Sequence, residues 1–221
     1  LSSIGSGIDP PIFSEGNCYI TNNGGSEHAV STFAASNGRW YFEAKITVQN
    51  SNNAMIAGIA DVYMSQKELA EAWLGMDVGQ YGYVCYDGKI YNSDDGGTAH
   101  GDTMTTNDII GVYVDLEDNK LYFAKNGVIQ NSGTGYSITA AASTTGGAYH
   151  FVTGDYFTTT SNVDYAVNFG GCPAFAISSG NADANDYGNF EYDPSDGGSS
   201  SFDSSAKDFY ALNSANLAEY G

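Results

Sequence analysis

The residues able to do chemistry are few and scattered. Glu191-Tyr192-Asp193, with Asp196 beyond it, is the arrangement closest to an acid pair. Retaining glycoside hydrolysis needs two carboxyls about 5 Å apart across a sugar. Pro194 interrupts the strand alternation there, because proline cannot donate to a central ladder. His28, His100 and His150 are too dispersed to suggest a metal triad or a Ser/Cys–His pair. Cys18, Cys85 and Cys172 are odd in number, widely spaced and form no CxxC pair, so a zinc site or disulfide framework is not expected. Asn92-Ser-Asp94-Asp95-Gly96-Gly97 and Asp183-Ala-Asn185-Asp186 are oxygen-rich loops of the kind that hold calcium. Neither has the twelve-residue spacing of an EF-hand, and both read better as solvated turns. No glycine-rich phosphate loop follows a strand and opens a helix. The expectation is a chain that is not an enzyme, with no cofactor and no metal. The remaining candidates are surface residues: Tyr81, Tyr83 and Tyr91 beside Asp94 and Asp95, aromatic faces plus carboxylates suited to a sugar or peptide ligand.

Charge narrows the partners. The 221 residues hold 26 acids against 7 bases, a net charge of −19, and Arg39 is the lone arginine. Such a chain cannot neutralise phosphates, which excludes nucleic acid, and anionic membrane surfaces repel it. No run approaches 18 apolar residues, so no membrane insertion is expected. Heavy acidity also keeps particles apart in salty water. The first residues, Leu1-Ser2-Ser3-Ile4, lack an initiator methionine, which reads as a trimmed end or a domain cut from a longer chain.

The elements that must position these residues are strands. From Trp40 to Val48 apolar residues alternate with Glu43, Lys45 and Thr47, the period-two pattern of a strand with one buried face. Ala54 to Val62 is apolar on both faces and suits a central strand. Gly82 to Asn92 reads as a hairpin about a two-residue turn at Asp87-Gly88. Asp108 to Leu116 and Lys120 to Lys125 form another pair, with a turn at Asn126-Gly127 after it. Tyr149–Val152 and Tyr165–Phe169 are shorter strand candidates. The one helix expected lies near 65–73, where Ser65-Gln-Lys-Glu68 is a capping box. Together these predict an all-β, antiparallel two-sheet β-sandwich. A single domain over 1–221 is expected, with a Ser/Gly/Asp-rich loop at 178–206 and a docked C-terminal tail at 207–221.

Four segments in this order resemble SPRY domains. Gly38-Arg-Trp-Tyr-Phe-Glu-Ala-Lys-Ile46 is similar to the family's opening strand, and Met55-Ile-Ala-Gly-Ile-Ala60 to its glycine-containing central strand. Asp108-Ile-Ile-Gly-Val-Tyr-Val-Asp115 with Leu121-Tyr-Phe-Ala-Lys-Asn-Gly127 is similar to its hairpin, and Tyr165-Ala-Val-Asn-Phe-Gly170 to its late strand. Tyr187-Gly-Asn-Phe-Glu-Tyr-Asp-Pro194, Phe209-Tyr-Ala-Leu212 and Asn216-Leu-Ala-Glu-Tyr220 resemble the ending of SPRY-type domains in bacteriophage proteins. The resemblance implies a lectin-like sandwich that serves as a non-catalytic interaction module. Its ending implies a virion location: a tail fibre, adhesin or capsid-decorating protein, a symmetric homo-oligomer, partnered by host-surface glycan or other virion proteins. The alternatives are an intracellular SPRY protein–protein adaptor or, more remotely, a lectin-like glycosidase.

Overall fold

The computed structural model describes residues 1, 11–22, 27–49, 55–63, 73–93, 96–156, 163–171, 173–195 and 202–221. Among them run fifteen strands in two sheets. The first sheet orders β1 (Ile12–Ser14), β2 (Tyr19–Asn22), β14 (Val163–Asn168), β4 (Arg39–Val48), β9 (Ile109–Asp115), β10 (Lys120–Lys125) and β11 (Val128–Ile129) side by side. β12 (Tyr136–Ser137) joins β10, and β15 (Tyr210–Ala211) joins β4. The second sheet orders β3 (His28–Ala35), β13 (Tyr149–Asp155), β5 (Met55–Asp61), β6 (Gln80–Val84), β7 (Lys89–Tyr91) and β8 (Thr98–Ala99). All pairings are antiparallel except β15 on β4, where Tyr210 lies opposite Trp40 and Ala211 opposite Tyr41. The two-sheet sandwich expected from the alternation is therefore the fold.

Alternation decides which side chains fill the space between the sheets. Trp40, Phe42, Ala44 and Ile46 of β4 point inward with Ile110, Val112 and Val114 of β9 and Leu121 and Phe123 of β10. Phe42 meets Phe151 of the opposite sheet at 5.2 Å, and Phe123 meets Tyr83 at 4.8 Å. The sheets are close-packed enough to dictate glycine: a Cβ on Gly58 would stand 1.9 Å from the Tyr81 carbonyl oxygen of the adjacent strand. Asn126-Gly127 turns β10 into β11 with φ of 49° and 78°, the left-handed pair of a two-residue hairpin. Asp87-Gly88 differs from its expected turn. Val84 pairs with Lys89, so the loop has four residues, closed by Gly88 N–H on the Val84 carbonyl at 3.0 Å.

The opposite face of β4 departs from the expectation of a solvated side. Tyr41, Tyr113 and Tyr122 project outward there and are covered by Phe190, Phe202, Phe209 and Ala211, forming a second core. The covering segment ends in a helix, α1 (Ser214–Tyr220), whose Asn213 side chain caps the Asn216 N–H. Three buried carboxylates fasten this wrap. Glu43 accepts from Glu191 N–H at 2.7 Å, Asn168 Nδ2 at 2.8 Å, Tyr41 Oη at 3.1 Å and Tyr192 N–H at 3.4 Å. Asp183 accepts from the Asn185, Tyr187 and Ala211 N–H groups and from Asn216 Nδ2. Asp115 takes Lys207 Nζ at 2.7 Å and Arg39 Nε at 3.1 Å. Burial alone would lower the Lys207 ammonium, but hydrogen bonds to Asp115, Asp118 and Tyr122 hold it above its ordinary value. The helix expected at 65–73 falls, except for Trp73, outside the described residues.

Candidate partner-binding cleft

The sequence-derived candidates separate from one another in the fold. Tyr81, Tyr83 and Tyr91 are all buried, between 0 and 6% exposed. This corrects the expectation of an open aromatic surface: the alternation turns Tyr81 and Tyr83 into the space between the sheets. Tyr83 Oη donates to the Asp102 carbonyl at 2.6 Å, and Tyr91 Oη donates to Asp87 at 2.7 Å while its ring packs on Trp73. Asp94 and Asp95 lie outside the described residues.

The other candidates serve the architecture. Glu191 is held by the backbone N–H and hydroxyl of Ser178, and those bonds keep its carboxyl below the ordinary range. A catalytic general acid needs the opposite shift. Asp193 accepts the Ser195 N–H, and Asp196 is outside the described residues. His28 Nε2 accepts the Leu74 N–H at 3.1 Å. His100 stands among Tyr83, Phe123 and Tyr136, and burial lowers it to about 4. Asp183, read as a solvated calcium-type loop, is buried and spent on the wrap.

What the sequence reading missed is a cleft of about 320 Å³ at one end of the sandwich, lined by Asp61, Asp77, Val78, Gly79, Thr139, Ser143, Thr144 and Thr145. Asp61 ends β5, and its N–H donates to the Gly79 carbonyl at 2.8 Å. Its buried carboxylate receives Thr144 Oγ1 at 2.8 Å and the Gly146 N–H at 2.9 Å, which fixes the 141–147 loop as one wall. Tyr81 holds the next residue of that wall: Oη donates to Thr139 Oγ1 at 3.1 Å and accepts the Thr139 N–H at 3.0 Å. Tyr149 Oη donates to the Thr139 carbonyl at 2.8 Å. Val78 stands 70% exposed on the opposite rim. Among the described residues the cleft thus offers one apolar contact, several hydroxyls and two carboxylates, with no basic side chain in its lining. It is suited to hydrogen-bond donors and positive charge. Thr139–Thr145 lies in the Thr/Ser-rich stretch 133–147, whose composition reads as an exposed loop available for binding but whose lack of periodicity gives no wall.

Comparison with known proteins accords with the geometry. The SPRY domain family model matches residues 39–153, just over half the chain, and the chain belongs to that family. The Drosophila melanogaster protein "Ran-binding proteins 9/10 homolog" is 31% identical over 123 residues, spanning 52% of this chain and 12% of that protein. Human Ran-binding protein 9 is 33% identical over 102 residues, 46% of this chain and 13% of that protein. The chain therefore corresponds to a small part of these relatives. The solved SPRY domain of human HERC1 shares the fold at a TM-score of 0.54 and 14% identity, covering 75% of this chain and 94% of that one. A second human SPRY domain gives a TM-score of 0.51 at 17% identity, covering 71% and 93%.

These relatives overturn the virion location. They are Ran-binding proteins of animals, and the matches point away from a phage particle. The ending that prompted that expectation has a physical role needing no virion: Phe190, Phe209, Ala211 and Asn216 are buried members of the wrap.

Proposed function

We propose that this chain is a non-catalytic protein-interaction module that receives a basic, hydrogen-bonding segment of a partner protein in the Asp61–Asp77–Thr144 cleft. The observation that carries this reading is the cleft itself: a concave site with a preformed hydroxyl-rich wall, two carboxylates and no opposing cation among the described residues, on a protein of net charge −19. SPRY family membership and relatives named for binding a protein support it. Ran itself is not transferred, because the matched region is a small fraction of those relatives.

The test is peptide selection against the whole chain, followed by titration of the best sequences. Selected peptides are expected to be rich in Lys or Arg, and Asp77→Lys or Val78→Glu to weaken them at least tenfold with the melting temperature unchanged. Equal binding by both variants would remove the cleft from the reading. Binding of glycans with no selected peptide would overturn the protein partner.

A further inference from the structure

At the pole where β2 ends and β3 begins, five oxygen-bearing side chains gather inside the protein. They are Asn22 at the end of β2, Glu27 just before β3, Thr153 and Asp155 at the end of β13, and Tyr165 of β14; each is no more than 1% exposed. Backbone bonds fix their proximity. Glu27 N–H donates to Asp155 Oδ1 at 2.9 Å, Asp155 N–H donates to the Glu27 carbonyl at 3.1 Å, and Asn22 Nδ2 reaches the same carbonyl at 3.5 Å. The Tyr165 hydroxyl lies within reach of the Asn22 and Thr153 side chains and in the electrostatic field of Asp155 and Glu27.

Four oxygens of this group have no hydrogen-bond partner of good geometry among the described residues: Asn22 Oδ1, Thr153 Oγ1, Asp155 Oδ2 and Tyr165 Oη. Buried polar atoms are nearly always satisfied, since each orphan forfeits the solvation it had in water. Four such oxygens at one pole, from the three strands β2, β13 and β14, form a pattern and not a packing accident. Among the described residues no lysine or arginine pairs with Asp155, and the charge of Glu27 beside it adds to the cost of ionising it. What satisfies all the orphans at once is a positive centre. A hard cation draws oxygens to about 2.3–2.6 Å around it.

We propose that Asn22, Glu27, Thr153, Asp155 and Tyr165 form a buried site for a hard divalent cation of the Ca²⁺ class. Two carboxylates supply the charge, and a carbonyl and two hydroxyl oxygens supply neutral ligands, the set a hard cation prefers. The site lies on the ends of four strands, so a bound ion would tie β2, β3, β13 and β14 together.

The experiment follows thermal unfolding of the whole chain, stripped with EDTA, in CaCl₂ and in KCl of equal ionic strength. Millimolar Ca²⁺ is expected to raise the melting temperature by roughly 3–8 °C over the KCl control, and Asp155→Asn to abolish the rise. Tb³⁺ luminescence sensitised by tyrosine is expected to saturate and to fall severalfold in Tyr165→Phe. No rise with Ca²⁺ or Mg²⁺ would overturn the site in favour of a water-filled or proton-sharing cluster. A rise that persists in Asp155→Asn would overturn it in favour of diffuse binding to surface acids. Should Asp155→Asn fail to fold, Thr153→Val decides: undiminished Ca²⁺ affinity in that variant counts against the site.

Discussion

Two buried acid sites in this molecule are handled in opposite ways. Under the C-terminal wrap, Glu43 and Asp183 each receive four donors, and Asp115 receives two cations besides backbone N–H groups. At the β2–β3 pole, Asp155 has one oxygen satisfied and one orphaned, beside a second acid. Burial lifts both Glu43 and Asp155; the donors around Glu43 offset part of that rise and leave it raised, whereas Asp155 is pushed up to about 7. A buried carboxylate with its hydrogen bonds supplied from inside the chain acts as a fastener. One left short of them looks outward for a proton or an ion.

Breaking a fastener should have the largest effect. Glu43→Leu leaves Glu191 N–H, Tyr192 N–H and Asn168 Nδ2 without their acceptor inside the protein. A loss of about 3–5 kcal/mol in urea unfolding is expected, given about 1–3 kcal/mol per orphaned group; a loss below 1 kcal/mol would show that the wrap is not held there. Lys207→Met, which leaves Asp115 with Arg39 alone, should cost about 2 kcal/mol and expose the wrap to limited proteolysis. Gly127→Val should cost about 1–2 kcal/mol, because φ there is 78° and a Cβ would stand 2.5 Å from the Tyr192 ring. An unchanged melting temperature would count against that turn.

Asp155→Asn sharpens the comparison with the opposite sign. A carboxyl whose folded pKa is raised contributes stability present below its unfolded value and lost as pH rises through the folded one. In EDTA, the parent should therefore lose stability from about pH 4 to about pH 7, and the variant should lose less of it. Melting temperatures across that range that fall in parallel would exclude Asp155 as the source. The smallest effect expected is a modest stabilisation from low to seawater-like ionic strength, as salt screens the net charge of −19.

The sequence was most informative where one strand faced one core. Alternation in Trp40–Val48 and Asp108–Leu116 named the inward residues, and Asn126-Gly127 named its turn. It suggested from Phe209-Tyr-Ala-Leu212 a tail that packs back, but not a second core, because Phe190 and Phe202 sit in a Ser/Gly/Asp-rich stretch whose spacing follows no strand or helix period. The same gap hid the wrap's acids: Glu43 is an alternating polar residue by pattern, and only the covering segment makes it buried. The tyrosines misled for a related reason. Residue type gives an aromatic with a polar tip, but which sheet face is interior depends on strands distant in sequence. The cleft residues Thr139–Thr145 carry no pattern at all, since hydroxyls on a loop become a wall only when Asp61 and Tyr81 hold them.

The pairing of β15 with β4 has a kinetic consequence. It sets Ala211 beside Tyr41 across about 170 residues of chain, a parallel contact that local hairpins cannot prepare. Loop closure on that scale is slow relative to that of β9 and β14, the antiparallel neighbours of β4, which lie nearer to it in the chain. During refolding, the outward tyrosines of β4, β9 and β10 would thus stand uncovered for a time, an aromatic patch on an otherwise complete sandwich. The strong negative charge of the chain, which does nothing for its packing, is then the main force keeping two such half-wrapped molecules from sticking together.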